Sequence, residues 1–339
     1  MRISFPQRER LLGLAASWRA AAGAKIPERW RRPRLGVGVE VAAAGVRAVV
    51  MRRQGPQRRL LAAAHIPIAD PAQRASVLDA LRAAADAIRF PTLHAPIIAT
   101  AVGGPGVVVR FATFPAMTAA ELRQAIPFEA EKQIPYPLAE VVLECQALAP
   151  PRGGRQDVVF VAAKKDVVEE RLQLLRDAGL APHVIDVEPF ALANAWELAA
   201  PPGSAVTALL VVDARRTLLD LVTGACLRLT REFPTGSAGG EVQAATPDVL
   251  DHLAQQLRFS VDYFENQSGQ ALERIAVTGP ALRWPGFLEG LRGAVGQPVE
   301  SWDPVAAVPA GPAMDPAAVA AVSADLAVAF GLSIRGAAA

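Results

Sequence analysis

The side chains best suited to metal or acid-base chemistry in this sequence are four histidines, two cysteines and a group of carboxylates. His65, His94, His183 and His252 stand at no ligand spacing to one another or to Cys145 and Cys226, so no zinc-type site is expected. Glu129, Glu131 and Glu144 can be read as an acid/base set, but as charges on a polar helix face and a strand they are more simply solvated. The chain has no G-x-x-x-x-G-K-[ST] loop, no G-x-S-x-G elbow and no dinucleotide fingerprint. Gly103-Gly104-Pro105-Gly106 reads as a tight turn, and Trp284-Pro285-Gly286-Phe287 as packing at the start of a helix. No catalytic residue and no metal ligand is assigned from these patterns.

Composition sets the frame. A chain of 339 residues with 52% hydrophobic content suggests two domains with ample core. The net charge of +2 gives no global argument for nucleic acid. Its distribution says more: residues 1–34 hold nine Arg or Lys against two Glu, a local +7, which leaves −5 for the rest. Within this tail, Leu11, Leu14, Ala15 and Trp18 can form one face of a short amphipathic helix that touches anionic lipid; a solvated tail is the alternative. The order of charged, apolar and small residues loosely imitates a signal peptide, but the apolar part is short and Arg19 follows it at once. No uninterrupted apolar run approaches the length of a spanning helix, so a soluble chain is expected. Cys145 and Cys226 each sit in an apolar run and are expected as buried free thiols.

The elements follow from periodicity. Leu35 to Val41, Val46 to Met51 and Leu60 to Ile68 read as strands, with a small-residue turn from Ala42 to Gly45. A helix with Leu78, Leu81, Ala85 and Ile88 on one face comes next, then the strand Ile97 to Val102. Val107 to Phe111 is another strand. Thr118 and Glu121 form a capping box for a helix with Leu122, Ala125 and Ile126 inward, and Pro127 is expected to split it. Asp157 to Ala162 and Asp166 to Ala178 read as strand and helix. The opening order partly recurs: strands at Ala208 to Asp213, Thr217 to Thr223 and Cys226 to Phe233, then a helix with Leu250, Leu253, Leu257, Val261 and Phe264 inward, then Ile275 to Val277. Val305 to Pro316 reads as a loop.

The run Ala125-Ile126-x-Phe128-Glu129-Ala130-Glu131-Lys132-x-Ile134-Pro135-Tyr136-Pro137-Leu138-x-Glu140-Val141-Val142-Leu143 resembles the signature segment of PilM, the actin-like protein of type IV pilus assembly. His183-Val184-Ile185-Asp186-Val187-Glu188-Pro189 and Ala324 to Gly336 resemble the same family, so the likeness spans about residues 35 to 336. It implies an α/β (α+β) actin-like fold: two ribonuclease H-like domains with an FtsA-type inserted subdomain in the first. The implied organisation is a basic tail (1–34), a first domain (35–106 and 183–200), the insert (107–182), a second domain (201–322) and a closing helix (323–339), with Pro201-Pro202-Gly203 at the boundary. The implied partner is the cytoplasmic N-terminal peptide of a PilN-like inner-membrane protein. Phe128, Ile134, Pro135, Tyr136 and Leu138 are its candidate contacts, and the implied location is cytoplasmic and peripheral at the inner membrane.

The resemblance also locates three nucleotide loops, and each departs from the family pattern. The first phosphate loop, expected as Asp-x-Gly, is Glu40-Val41-Ala42, followed by Gly45; the second is Asp213-Ala214-Arg215; the adenosine loop, expected as two glycines, is Gly279-Pro280. Phosphate and adenine need close backbone approach, and Mg²⁺ needs an acidic residue in each phosphate loop. Gly236 to Gly240 leads almost directly to the long helix, so the adenine-side lobe is expected to be largely missing. No cofactor is therefore expected: ATP and Mg²⁺ are disfavoured and hydrolysis is expected lost. Two alternatives remain, an active actin-like ATPase and a cytoplasmic domain of the GspL kind from type II secretion.

Overall fold

Alternating small and β-branched residues at the start of the first domain give a hairpin with both faces buried. Strands β1 (Arg34–Ala42) and β2 (Gly45–Gln54) pair antiparallel with Val37 opposite Val50 and Val39 opposite Ala48. This computed structural model describes residues 34–148, 150–200, 203, 205–237 and 241–338. The tail readings on residues 1–33, and Pro201-Pro202, lie outside the described residues. Strands β3 (Gln57–Pro67), β4 (Ile97–Val102) and, after the insert, β8 (Val184–Val187) complete a sheet in the order β3-β2-β1-β4-β8, with β1, β4 and β8 parallel. Helix α1 (Arg74–Ala87) lays Val77, Leu81, Ala84 and Ala85 on one side of it.

The second domain repeats the arrangement. Strands β9 (Val206–Val212), β10 (Arg216–Thr223), β11 (Cys226–Pro234), β12 (Leu272–Thr278) and β13 (Val299–Ser301) form the order β11-β10-β9-β12-β13 with the same parallel and antiparallel pairings. Leu253, Leu257, Val261 and Phe264 of helix α5 (Pro247–Ser268) are buried against it, as their spacing requires, with Leu250 half-buried at the edge of this core. The chain passes from β11 to α5 through Thr235 to Thr246, with no intervening helix among the described residues. Helices α3 (Lys165–Asp177), α4 (Glu188–Ala199) and α6 (Phe287–Ala294) fill the layers. Trp284 meets the Phe287 ring edge-on at 5.7 Å where α6 begins.

The insert is a three-stranded antiparallel sheet, β5 (Val107–Pro115), β7 (Arg155–Lys164) and β6 (Val141–Ala147) in that order, covered by helix α2 (Ala119–Gln133). The capping box is present: Glu121 N donates to Thr118 Oγ1 at 3.3 Å and Thr118 N to Glu121 Oε2 at 2.7 Å. The expected split at Pro127 does not occur; α2 is continuous. Proline removes one intrahelical bond, to the carbonyl of exposed Arg123. Leu122, Ile126 and Ala130 hold both sides of that gap on the sheet, against Val158, Phe160 and Ala162.

The C-terminal stretch is apolar but interrupted by Asp325 and Arg335. Helices α7 (Pro316–Val322) and α8 (Ala327–Ala338), with the 3₁₀ turn between them, make a stretch with mean hydropathy 1.9 that is long and apolar enough to cross a membrane by length and composition. Here α8 is core, packed on β1, β2 and α4. Glycines permit the approach: a Cβ on Gly38 would overlap the Ala329 carbonyl oxygen, and one on Gly331 the Ala191 carbonyl oxygen. The loop before α7 is fastened to the first sheet, since Leu60 N donates to Pro309 O at 3.1 Å and Gly311 N to Leu60 O at 2.7 Å. Cys226 is buried and Cys145 half-buried, with no disulfide between them.

Candidate functional site

The two sheets face each other across the turns that the nucleotide-loop reading singled out, and the structure brings Glu40 and Asp213 together there. Glu40 lies near the end of β1 and Asp213 follows β9. Between them lies a residue the sequence reading passed over. Arg47, on β2 directly opposite Glu40 in the hairpin register, is 2% exposed. It donates from Nη1 to Glu40 Oε1 at 2.7 Å and from Nη2 to Asp213 Oδ2 at 3.1 Å. One guanidinium thus ties the first domain's loop to the second's. Its signal in the sequence was a lone charge in the apolar run Val46 to Met51, and a buried arginine requires an acid.

The electrostatics follow from burial and proximity. Burial works to lower the Arg47 guanidinium, but Glu40, Asp213 and Asp325 reverse this and hold it above its ordinary value. Burial pushes the Glu40 carboxyl up, and Arg47 opposes it only in part. Glu40 Oε2 and Arg47 Nε are buried without a hydrogen-bond partner. Asp213 is fixed from the other side, its Oδ1 accepting from Ala214 N at 2.6 Å and its carbonyl from Thr235 Oγ1 at 2.7 Å.

A second ion cluster borders the first. Arg216 at the start of β10 lies 2.7 Å from both Glu188 and Glu232. Burial alone would raise Glu188; Arg216, then Arg171 and Arg47, bring it below the ordinary carboxylate range. Arg171 of α3 donates to the Val41 carbonyl at 3.2 Å, beside the first phosphate-loop turn. Ala42 is buried, and a Cβ on Gly45 would press on His65 Nε2 at 2.6 Å. Arg215, read from sequence as a cation that phosphate could use, is half-exposed and pairs with Glu241 at 3.1 Å.

The adenosine-loop position is occupied by the chain's own closing segment. Gly279, at φ 103°, donates its N–H to Ala324 O at 2.8 Å, and Thr278 Oγ1 donates to the same oxygen at 2.8 Å. Beside it, Asp325 accepts from Arg283 at 2.9 Å and sits 2.7 Å from His65 Nδ1. Pro280 opens the short 3₁₀ turn that follows. Both acidic positions are paired with Arg47, and the Gly279 N–H with Ala324 O. Among the described residues, no three His, Cys, Asp or Glu side chains cluster as metal ligands.

The partner-contact candidates divide. Phe128 stands out from α2 at 72% exposure, and Pro135 is exposed. Tyr136 is half-buried where insert meets first domain: its hydroxyl donates to Pro105 O at 2.5 Å, and Lys164 Nζ lies 5.8 Å from its ring centre. Leu138 is half-buried on the insert core. Ile134, at 8% exposure, belongs to that core with Ile126 and Phe160, so it supports the surface from beneath rather than lining it.

Comparisons with known proteins agree with this architecture. The sequence profile of the family described as type IV pilus assembly protein PilM matches residues 38–242. A solved PilM–PilN type IV pilus biogenesis complex contains a chain 26% identical, with TM-score 0.76 over 89% of this chain and 98% of that one. A Bacteroides thetaiotaomicron protein of actin-like ATPase fold and unknown function is 12% identical, with TM-score 0.48 over 83% and 95%. The cytoplasmic domain of EpsL, an inner-membrane component of the Vibrio cholerae type II secretion system, is 15% identical, with TM-score 0.47 over 80% and 90%.

Proposed function

The chain belongs to the PilM family of type IV pilus assembly proteins, and from that premise we propose that it is a cytoplasmic scaffold without nucleotide chemistry. Its role is to capture the N-terminal cytoplasmic tail of a PilN-like protein at the inner membrane. The observation that carries the loss of nucleotide chemistry is Arg47 between Glu40 and Asp213. A metal ion entering this cleft would have to displace a permanent cation that two carboxylates hold. Breaking such a buried pair costs roughly 3–5 kcal/mol. The closing segment on Gly279 supports the same reading independently, because base contacts there would compete with Ala324.

For partner capture, Phe128, Pro135, Tyr136 and Leu138 are proposed to supply apolar surface, Tyr136 at the junction with the first domain and Ile134 in the insert core beneath. An extended peptide needs such pockets for alternate side chains. The basic tail, residues 1–34, is proposed to add contact with an anionic membrane surface. Calorimetric titration tests the reading in two arms. A synthetic peptide of the partner's cytoplasmic tail is expected to bind, and more weakly to Tyr136→Ala at unchanged melting temperature, whereas ATP with Mg²⁺ is expected to give no heat. Micromolar, Mg²⁺-dependent ATP binding with turnover would overturn it.

A further inference from the structure

The end of the β2–β3 hairpin carries a charge pattern that neither the cleft nor the insert uses. Across three adjacent strands Arg34 faces Arg53 and Arg53 faces Arg58, which sets three guanidinium side chains in one row on one face. Arg52 faces Arg59 as a second like-charge pair on the opposite face. Like charges directly opposed destabilise a sheet. Burial, then Arg58 and Arg34, holds the Arg53 guanidinium below its ordinary value. Glu197 offsets the effect of burial on Arg58 only in part. Among the described residues none of the five arginines forms an ion pair. Arg53 Nε donates to Gly55 O at 3.1 Å and Arg34 to Ala338 O at 3.4 Å, which leaves most of their donors unused. Arg52, Arg58 and Arg59 line a groove of about 630 Å³ whose far wall includes Leu198, Val308 and Pro309. That wall is fastened at Leu60, so the groove is part of the fold.

We infer that this hairpin end is a binding site for the phosphate headgroups of an anionic bilayer. Arg34, Arg53 and Arg58 lie on one face of the hairpin end and Arg52 and Arg59 on the other, so the five surround its tip, with Arg52, Arg58 and Arg59 lining the groove beside it. Dispersed forks suit a plane of separate phosphates better than one small anion, and each can take a headgroup in bidentate fashion. In the sequence, the 33 residues before Arg34 hold eight Arg or Lys against two Glu, so this part of the chain is basic as well. Pro56, Leu198 and Val308 add apolar surface beside the charges. The site is independent of the nucleotide cleft and of the partner-peptide surface.

The test is co-sedimentation of the full chain with phosphatidylcholine vesicles, with and without phosphatidylglycerol. Wild type is expected to pellet only with the anionic vesicles. Each arginine in contact contributes roughly fivefold, so Arg53→Gln with Arg58→Gln, or Arg52→Gln with Arg59→Gln, is expected to lower partitioning about 25-fold. Melting temperature is expected to hold or rise, because a repulsive pair has been relieved, and Arg53→Lys with Arg58→Lys is expected to keep most of the binding. Partitioning unchanged in both glutamine variants would assign the binding to residues 1–33 and overturn the proposal. So would equal binding to neutral vesicles. Inorganic phosphate that raises the melting temperature through these arginines, without vesicle binding, would make this a small-anion site instead.

Discussion

Replacing Arg47 with methionine removes a charge and nothing else of comparable size. The wild-type side chain is 2% exposed and holds carboxylates at 2.7 and 3.1 Å, so the variant leaves Glu40 and Asp213 facing each other without a cation. Breaking a buried pair in this way costs roughly 3–5 kcal/mol. At about 1.4 °C of melting temperature per kcal/mol for a chain of 339 residues, the midpoint should fall by roughly 4–7 °C. Burial already raises Glu40, and losing Arg47 removes the largest influence opposing that. A carboxyl whose folded pKa lies above its unfolded value loses stability as pH rises through the folded pKa, so the deficit should widen from acidic to neutral pH. The assay is urea unfolding of wild type, Arg47→Met, and the triple variant Glu40→Gln, Arg47→Met, Asp213→Asn across that range. The triple variant is expected to recover most of the loss, because the uncompensated charges are gone with the cation. A single variant within 1 kcal/mol of wild type, or a triple variant showing additive losses, would refute the bridge as an energetic unit.

Asp186 gives a pH dependence of its own. Burial raises its carboxyl to about 6, with Arg335 at 3.8 Å and the Val187 N–H opposing only in part. Its cost is absent below the unfolded value of 3.8 and complete above 6. Wild-type stability should therefore fall by about 3 kcal/mol relative to Asp186→Asn as pH rises through that window, which paired urea titrations read directly. Glu188 and Asp325 have the opposite sign: both lie below their ordinary values of 4.5 and 3.8, so the stability each supplies is lost as pH drops below that value toward its folded pKa. Glu188→Gln should flatten that acid limb. Gly38→Ala forces a methyl group into the Ala329 carbonyl and should cost at least about 3 kcal/mol, or abolish soluble expression. Gly293→Ala, in the last turn of α6 with nothing near its added Cβ, should stabilise by about 0.4–1 kcal/mol and raise the unfolding midpoint slightly.

Local chemistry was legible where neighbours in sequence decide the outcome. Thr118 and Glu121 announced the start of α2 because a capping box closes within one turn, and the inward face of α5 followed from a helical period. The repeated strand order followed from alternation and turns. Pro127 does not split α2 because its local cost competes with burial of Ile126 and Ala130, which only the sheet beneath supplies. The C-terminal stretch is a closing helix as the resemblance implies, but the close packing of α4 and β1 on it is supplied only by the fold. Ile134 sits in the signature segment yet faces inward, a matter of which side of the chain the insert covers.

The sequence by itself determined the two repeated sheets, the capped insert helix and the segregation of basic charge toward the N-terminus, because each is written in spacing or composition; the nucleotide-loop positions came only from the family resemblance. Only the tertiary structure decided what became of those loops. Glu40 and Arg47 are seven positions apart and meet through hairpin register, but Asp213 lies 166 positions further on and reaches Arg47 only when the domains close. Ala324 meets Gly279, and Arg34 joins the row of Arg53 and Arg58, by the same route. A charge's partner across a domain boundary is set by the packing of whole sheets, which no local pattern carries.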